Sequence, residues 1–180
     1  LQFGIFSTIT RLHSSRSSFN SKEHWFFSET TSKIMKKYLR LRHQMIPYLY
    51  TMNVKTHEEG APLISPMYYF YPESDESYNV PNQYFFGTEL MVAPIVEKMD
   101  LAFQSAKVDV WFPEGEWYDF FLEKKYTGGV KLSVYRDIST IPVFAKSGAI
   151  IPLVGSEIDM GVDLPEVVDW YVFPGKQHSF

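Results

Sequence analysis

The sequence beyond residue 83 is a series of short β-forming segments, and this feature limits the fold more than any other. Each segment is rich in β-branched and aromatic residues and is followed by glycine, proline or aspartate, which are typical of turns. Short strands at this spacing predict an antiparallel sandwich. The predicted strands lie within residues 84–96, 107–113, 116–122, 130–136 and 141–152.

A helical pattern precedes these strands. Ser28 or Thr30 is suited to cap a helix over residues 29–57, and Gly60 follows its end. Pro47 lies inside the helix and should kink it, because proline lacks a backbone donor and clashes with the preceding turn. Apolar residues recur at steps of three and four, which places them on one face: Ile34, Tyr38, Leu41, Met45, Leu49 and Met52.

The change of pattern predicts how the chain is divided. Residues 62–71 are expected to form a buried strand, and Pro66 within them indicates a bend or a strand end. A polar loop then leads to the all-β part, and another strand is expected near the end of the chain. The predicted units are a helix–strand unit over 1–82, a sandwich over 83–154, and a linker with one strand of a further β-domain over 155–180.

Composition excludes several classes of function. The formal net charge of −4 disfavours nucleic-acid binding, which needs clustered cations. No run of 18 apolar residues predicts a membrane span. The sequence has no cysteine, so disulfides and thiolate metal sites are excluded and a cytoplasmic location is expected. Nucleotide-binding glycine motifs and zinc-binding histidine motifs are also missing, so no metal site is expected.

One loop combines polar and aromatic side chains. Residues 11–28 form a long segment, and long loops inside compact domains are commonly functional. Such a mixture fits a sugar pocket, where polar groups orient a ligand beside an aromatic wall. It fits a solvated loop with one arginine–glutamate pair equally well. The side chains concerned are Arg11, His13, Arg16, Glu23, His24 and Trp25.

Nine segments of the sequence, taken in order, carry a resemblance to a known family. They are FSTITRLHSS, KEHWFF, RLRHQMIPYLYTM, EEGAPLISPMYYFYPESD, QYFFGTELMVAPIV, VWFPEGEWYDFF, YTGG, IPVFAKSGAIIPL and VFPG. In this order they resemble glycoside hydrolase family 31, the α-glucosidase and α-xylosidase family, and the similarity covers nearly the whole chain.

The resemblance implies a fold. Family members have a (β/α)8 catalytic barrel followed by proximal and distal β-sandwiches, so the chain is expected to be an α+β fragment. It would hold the last strand–helix units of the TIM barrel and then an antiparallel sandwich. In this scheme residues 62–71 would be the eighth barrel strand, and residues 165–180 the first strand of the distal sandwich.

The resemblance also implies site residues. His13 occupies the position of the histidine in the Arg-x-His motif that hydrogen-bonds the sugar being cleaved, and Arg11 matches the same motif as a supporting residue. The family's two catalytic aspartates precede this motif, but no Asp or Glu precedes Glu23 here. No catalytic residue is therefore expected in this chain. Glu73 and Asp75 are expected to be solvated loop residues.

The expected function follows from that family, whose mechanism needs only carboxylates and water, so no cofactor is expected. The parent protein would be a retaining glycosidase that releases terminal α-linked glucose or xylose from oligosaccharides, and the chain alone would be inactive. The expected partners are an α-glucoside or α-xyloside, the remainder of the barrel, or a second copy of the chain. Two alternatives stay open: a non-catalytic carbohydrate-binding module, and a structural sandwich that supports the barrel.

Overall fold

The computed structural model describes residues 1–12, 22–155 and 165–176. The helices are α1 Gln2–Ile5, α2 Glu29–Gln44, α3 Ile46–Glu59, α4 Met67–Phe70 and α5 Asp75–Tyr78, with a 3₁₀ helix at His24–Phe26. The strands are β1 Ile64–Pro66, β2 Tyr84–Phe86, β3 Leu90–Val92, β4 Ala106–Phe112, β5 Glu116–Asp119, β6 Lys125–Thr127, β7 Val130–Arg136, β8 Val143–Lys146, β9 Ile150–Val154 and β10 Val168–Val172.

The predicted long helix is present as two consecutive helices. Ser28 caps α2, since its hydroxyl accepts a hydrogen bond of 3.3 Å from the backbone N–H of Thr31. Met45 separates α2 from α3, and Pro47 lies in the first turn of α3, where a missing N–H is tolerated. Gly60 ends α3 in the left-handed conformation at φ 70°. Proline thus divides the helix, as its chemistry predicts.

The β-strands form an antiparallel sandwich, which confirms the predicted fold class. Six strands form one sheet in the order β1-β2-β3-β8-β5-β6. Strands β4 and β7 form a separate antiparallel pair of seven residues each. Strands β9 and β10 form a third pair.

The strand expected over residues 62–71 is wrong in its length and its partners. Only Ile64–Pro66 is extended, and the next four residues form α4. Moreover, β1 pairs antiparallel with β2, whereas the strands of a (β/α)8 barrel are parallel. Proline has no N–H for a ladder, which explains why the strand ends at Pro66. This segment therefore begins the six-stranded sheet.

Two hydrophobic cores lie on opposite faces of that sheet. Phe86, Leu90 and Val143 pack with the helices in the first core. Phe85, Met91 and Phe144, their immediate neighbours in β2, β3 and β8, pack with β4 and β7 in the second core. Successive side chains of a strand point to opposite faces, so these three central strands are buried on both sides. The helices cover one face of the sheet and the β4–β7 pair covers the other.

The last described strand belongs to the same body. In β10, Val172 lies opposite Ile150 of β9, and the following residue, Phe173, is buried in the first core. Residues 168–173 are therefore held against β9 and the first core. The prediction that residues 155–180 open a further β-domain stays a prediction, and residues 156–164 and 177–180 lie outside the described part of the chain.

Candidate functional site

The segment that leads to Arg11 is fixed by its own side chains. Phe6 is fully buried, and it follows directly on α1. The hydroxyl of Ser7 donates to the carbonyl oxygen of Gly4 at 2.6 Å, and the hydroxyl of Thr10 donates to the same oxygen. Two short side chains thus close the turn after α1. These hydrogen bonds consequently fix the backbone conformation of the segment before Arg11.

Arg42 of α2 holds this segment from the other side. Its guanidinium donates to three carbonyl oxygens: those of Ile5 at 2.7 Å, Ser7 at 2.8 Å and Thr8 at 3.1 Å. The planar fork of an arginine suits several acceptors at once, which a lysine ammonium does not. Burial lowers the pKa of Arg42. One side chain therefore ties the segment before Arg11 to the long helix.

Of the two predicted substrate-binding residues, the structure describes one. Arg11 is exposed at the end of the first described segment. His13 lies outside the described residues, as does Arg16. The assignment of Arg11 and His13 to a sugar pocket therefore stays a prediction. The structure adds that side-chain hydrogen bonds hold the backbone that leads to Arg11 in place.

The remainder of the polar–aromatic loop is bound to α2 through His24. Its Nδ1 lies 2.9 Å from the hydroxyl oxygen of Ser32. The imidazole also meets the ring of Trp25 edge-on, with ring centroids 4.9 Å apart. Trp25 and Phe26 expose about two thirds of their surface, at 65% and 66%. His24 thus orders the loop, and the two aromatic rings face outward.

Three carboxylates that the sequence singles out lie at the surface. Glu73 and Asp75 are exposed around the start of α5, as expected for solvated residues. Glu23 is exposed beside the 3₁₀ helix. The described residues also contain no group of three histidine, aspartate or glutamate side chains that would hold a metal ion.

Two buried carboxylates of the sandwich were not predicted. Asp119, which is fully buried, accepts hydrogen bonds from the backbone N–H groups of Phe121 and Leu122 and forms an ion pair with Arg136. Glu89 is 2% exposed and lies 3.2 Å from the ammonium of Lys146. The second carboxylate oxygen of Glu89 has no hydrogen-bond partner within the described residues.

The signal for both carboxylates was present in the sequence. Glu89 stands directly before the apolar run Leu90–Ala93, and Asp119 stands between aromatic residues. A charge next to or between such apolar residues is expected to be paired, because burying an unpaired charge is costly. Their cationic partners are distant in the chain, so the pairs could not be identified before the fold was known.

Among the described residues, no helix is both long and apolar enough to cross a bilayer.

Comparison with known proteins gives two adjoining family matches. Residues 1–52 match the model of the TIM-barrel domain of glycosyl hydrolases family 31. Residues 60–151 match the model of the C-terminal domain of glycosyl hydrolase family 31. The second match begins before β1, whereas the sequence placed the boundary near residue 83. The exact domain boundary stays a prediction.

The chain is similar to several enzymes along most of its length. It is 31% identical to alpha-glucosidase 2 of Bacillus thermoamyloliquefaciens over 92% of this chain and 20% of that protein. It is also 31% identical to the alpha-xylosidase of Saccharolobus solfataricus, over 99% of this chain and 24% of that protein. The chain thus spans about a fifth to a quarter of the length of these relatives.

A solved structure shares the same fold. The GH31 dextranase of Flavobacterium johnsoniae, complexed with glucose, superposes with a TM-score of 0.84 at 35% sequence identity. The superposition covers 97% of this chain and 21% of the dextranase. Both the helical part and the sandwich are therefore arranged as in that enzyme.

Proposed function

Since this chain belongs to glycosyl hydrolase family 31, we propose that the protein containing it is a retaining glycosidase of α-linked glucose or xylose. The observation that carries the proposal is the barrel-domain match over residues 1–52, the region that contains Arg11 and His13. The substrate would be an oligosaccharide with a terminal α-linked glucose or xylose. The names of the two relatives, an alpha-glucosidase and an alpha-xylosidase, support both sugars equally.

In this proposal His13 binds the sugar and Arg11 supports the loop. An imidazole both donates and accepts hydrogen bonds, which suits a ring bearing adjacent hydroxyl groups. Loops at the carboxyl end of barrel strands form the active site in such barrels. The anchoring of residues 5–8 by Arg42 supports this assignment, because a substrate-binding loop needs a fixed starting point.

The two catalytic carboxylates would come from polypeptide outside this chain. Retaining hydrolysis needs a nucleophile and a general acid/base about 5–5.5 Å apart. Glu73 and Asp75 are exposed, while Asp119 and Glu89 are buried and paired with cations. The exposed carboxylates suit a solvated role and the buried, ion-paired carboxylates suit a structural role. We therefore expect the 180-residue chain alone to be inactive.

The test compares the full natural protein with the isolated chain. Nitrophenyl α-glucoside and α-xyloside are the substrates, and hydrolysis is expected from the full protein only. His13→Ala is expected to lower kcat/KM by at least about tenfold, because a buried hydrogen bond to the sugar is lost. His57→Ala, an exposed histidine near the end of α3, is the matched control.

Two results would contradict the proposal. The first is unchanged kcat/KM in the His13→Ala protein while the wild type is active. The second is turnover by the isolated chain that disappears when a carboxylate within the chain is replaced.

A structural role for the sandwich is favoured by a separate observation. Tyr38, Met45 and Tyr48 of the helical part are fully buried in one core with residues of β2, β3 and β8. The sheet therefore covers the apolar face of α2 and α3. We propose that the sandwich supports the barrel in this way, and that removal of residues 83–154 would leave an aggregating protein.

A further inference from the structure

A cavity of about 540 Å³ opens on the sandwich, next to the aromatic segment that follows β1. Its volume lies within the range of small-molecule sites. The lining residues come from α4, β2, β5 and β8 and the loops beside them. Three aromatic and three polar lining residues matter here: Phe70, Tyr71 and Trp117, and Glu116, Lys146 and Ser147.

The aromatic wall of the cavity is fixed by ring-to-ring packing. Phe70 meets Phe85 edge-on at a centroid distance of 5.1 Å, and Phe85 lies 6.2 Å from Trp117. The indole N–H of Trp117 donates to the carbonyl oxygen of Pro113 at 2.8 Å, so this ring is also held in place. Phe70 is 50% exposed, which leaves part of its ring open to a ligand. The wall is formed before any ligand arrives.

The polar side of the cavity is also held in position. The ammonium of Lys146 lies 3.2 Å from Glu89 Oε1, and the Thr88 hydroxyl donates to the same oxygen at 2.9 Å. An ammonium has three donors, so the contact with Glu89 leaves Lys146 with capacity for a ligand. Ser147 is fixed through its backbone N–H, which donates to the carbonyl oxygen of Glu116 at 2.8 Å.

The charges that line the cavity have both signs. Glu114 and Glu116 are acidic and Lys146 is basic, while Glu116 also forms an ion pair of 2.5 Å with Lys125. A ligand with a net charge would meet a like charge on one side. A neutral ligand with many hydroxyl groups finds both donors and acceptors there, and its apolar C–H faces fit the aromatic wall.

We propose that this cavity is an accessory binding site for a neutral oligosaccharide. The site would hold one or two sugar rings against Phe70, with hydroxyl groups directed to Lys146 and Glu116. This function goes beyond hydrolysis and does not depend on it, because no step of bond cleavage is assigned to the cavity. It would let the sandwich hold a polymeric or oligomeric sugar at a second point.

The test is calorimetric titration of the full natural protein with sulfur-linked maltooligosaccharides and isomaltooligosaccharides, which resist hydrolysis. The variants are Phe70→Ala and Lys146→Met, each expected to weaken binding at one site about tenfold through loss of ring contact or of a charged hydrogen bond. Tyr135→Ala is the matched control, since Tyr135 is 59% exposed and does not line the cavity. It should bind as the wild type does.

Activity on a nitrophenyl glycoside separates this proposal from the proposed function. The cavity variants should keep the wild-type kcat/KM on that small substrate. A wild-type protein that does not hydrolyse the nitrophenyl glycoside, but binds oligosaccharide in a way that depends on Phe70, would refute only the hydrolase proposal. Thermal unfolding checks that each variant is folded. If the Phe70→Ala protein does not fold, the Lys146→Met protein alone tests the site. Binding that is undetectable in the wild type, or equal in wild type and both variants, overturns the accessory site.

Discussion

At the scale of single residues, Arg42 links the long helix to the candidate site. Three carbonyl oxygens between Ile5 and Thr8 share its guanidinium, so the helix and the segment before Arg11 are joined through one side chain. Tyr84 of β2 ties the same segment to the sheet, because its hydroxyl donates to the carbonyl oxygen of Phe6 at 2.7 Å. On the side of the helix, the backbone order of this segment should depend on the shape of the side chain at position 42, not only on its charge.

Arg42→Lys is expected to speed amide hydrogen exchange in residues 5–12 by about tenfold or more. A lysine ammonium keeps the charge but does not span three carbonyls, so at least one charged hydrogen bond is lost. Exchange followed by mass spectrometry on peptides covers this segment. Arg40→Lys, an exposed residue of the same helix, should leave the exchange unchanged. Equal exchange in the two variants would refute the anchoring role.

Asp119 and Arg136 form the buried ion pair of the sandwich. Asp119→Asn keeps an acceptor for the backbone N–H groups of Phe121 and Leu122 but leaves the guanidinium without its counter-charge. Breaking a buried pair in this way should cost about 3–5 kcal/mol of unfolding free energy. Urea denaturation measures the loss. Lys125→Met breaks the exposed pair with Glu116 and should have little effect.

Asp137 should make the stability sensitive to acid. Hydrogen bonds from the hydroxyl (2.5 Å) and the backbone N–H (2.8 Å) of Ser139 lower the pKa of Asp137 below its ordinary value. Because the folded pKa is the lower one, this stabilisation is present above about pH 4 and is lost as the pH falls through the folded pKa.

Carboxyl NMR titration should show that the pKa of Asp137 rises towards its ordinary value in the Ser139→Ala protein. The Asp137→Asn protein should lose less stability than the wild type between about pH 4 and pH 2. An Asp137 pKa that is the same in wild type and in Ser139→Ala would show that the Ser139 hydroxyl does not lower it.

At the scale of elements, α3 is joined to the β2–β3 hairpin by Tyr48. This side chain is fully buried, and its hydroxyl donates to the carbonyl oxygen of Phe86 at 2.7 Å. The same hydroxyl accepts a hydrogen bond of 3.4 Å from the backbone N–H of Glu89. Burial raises the pKa of Tyr48, so it stays protonated and able to donate. Gly87, between the two contacts, has a positive φ of 66°.

Tyr48→Phe is expected to lower the free energy of unfolding by about 1–3 kcal/mol, because it leaves a buried carbonyl without its donor. Chemical denaturation of the protein provides the value. Tyr50→Phe, two residues along the same helix and 54% exposed, is the control and should be nearly neutral. A loss of equal size in both variants would mean that the hydroxyl contact does not connect the helix to the hairpin.

The elements that could be predicted were those with a strong local pattern. The helix over 29–57 and the longer strands β4 and β7 follow from the spacing of their apolar residues. Strand β6, Lys125–Thr127, was missed because its partly exposed Lys-Tyr-Thr sequence has no apolar alternation. The single strand predicted over residues 62–71 is wrong because the aromatic residues after Pro66 fit a β-strand as well as they fit the short helix that they form.

At the scale of the whole molecule, the order of the units was predictable but the pairing of distant residues was not. The helical unit followed by an antiparallel sandwich was expected from the change of pattern near residue 83. The ion pair of Asp119 with Arg136 and the contact of Glu89 with Lys146 join residues 17 and 57 positions apart, which no local pattern encodes. The candidate site was indicated by the polar and aromatic composition of residues 11–28 and by the Arg11-x-His13 motif, and His13 lies outside the described residues.

The surface of the described chain carries several exposed aromatic and apolar side chains. Trp25 and Phe26 project from the 3₁₀ helix, and Trp170, Tyr171 and Val172 of β10 are each about half exposed. Apolar groups gathered on a surface in this way mark contacts with other protein. The relatives are about four to five times as long as the matched region, and we propose the remainder of such a longer protein as the partner of these surfaces.

The isolated 180-residue chain is therefore expected to self-associate in solution. Replacing Trp25 and Phe26 together by serine should shift the sedimentation profile towards monomer, since the gain from burying these rings is lost. Tyr135→Ser removes one exposed aromatic ring from β7 and should leave the profile unchanged. A wild-type chain that stays monomeric at high concentration would show that these rings do not need a protein partner, and the proposed contact with the rest of the barrel would lose its physical basis.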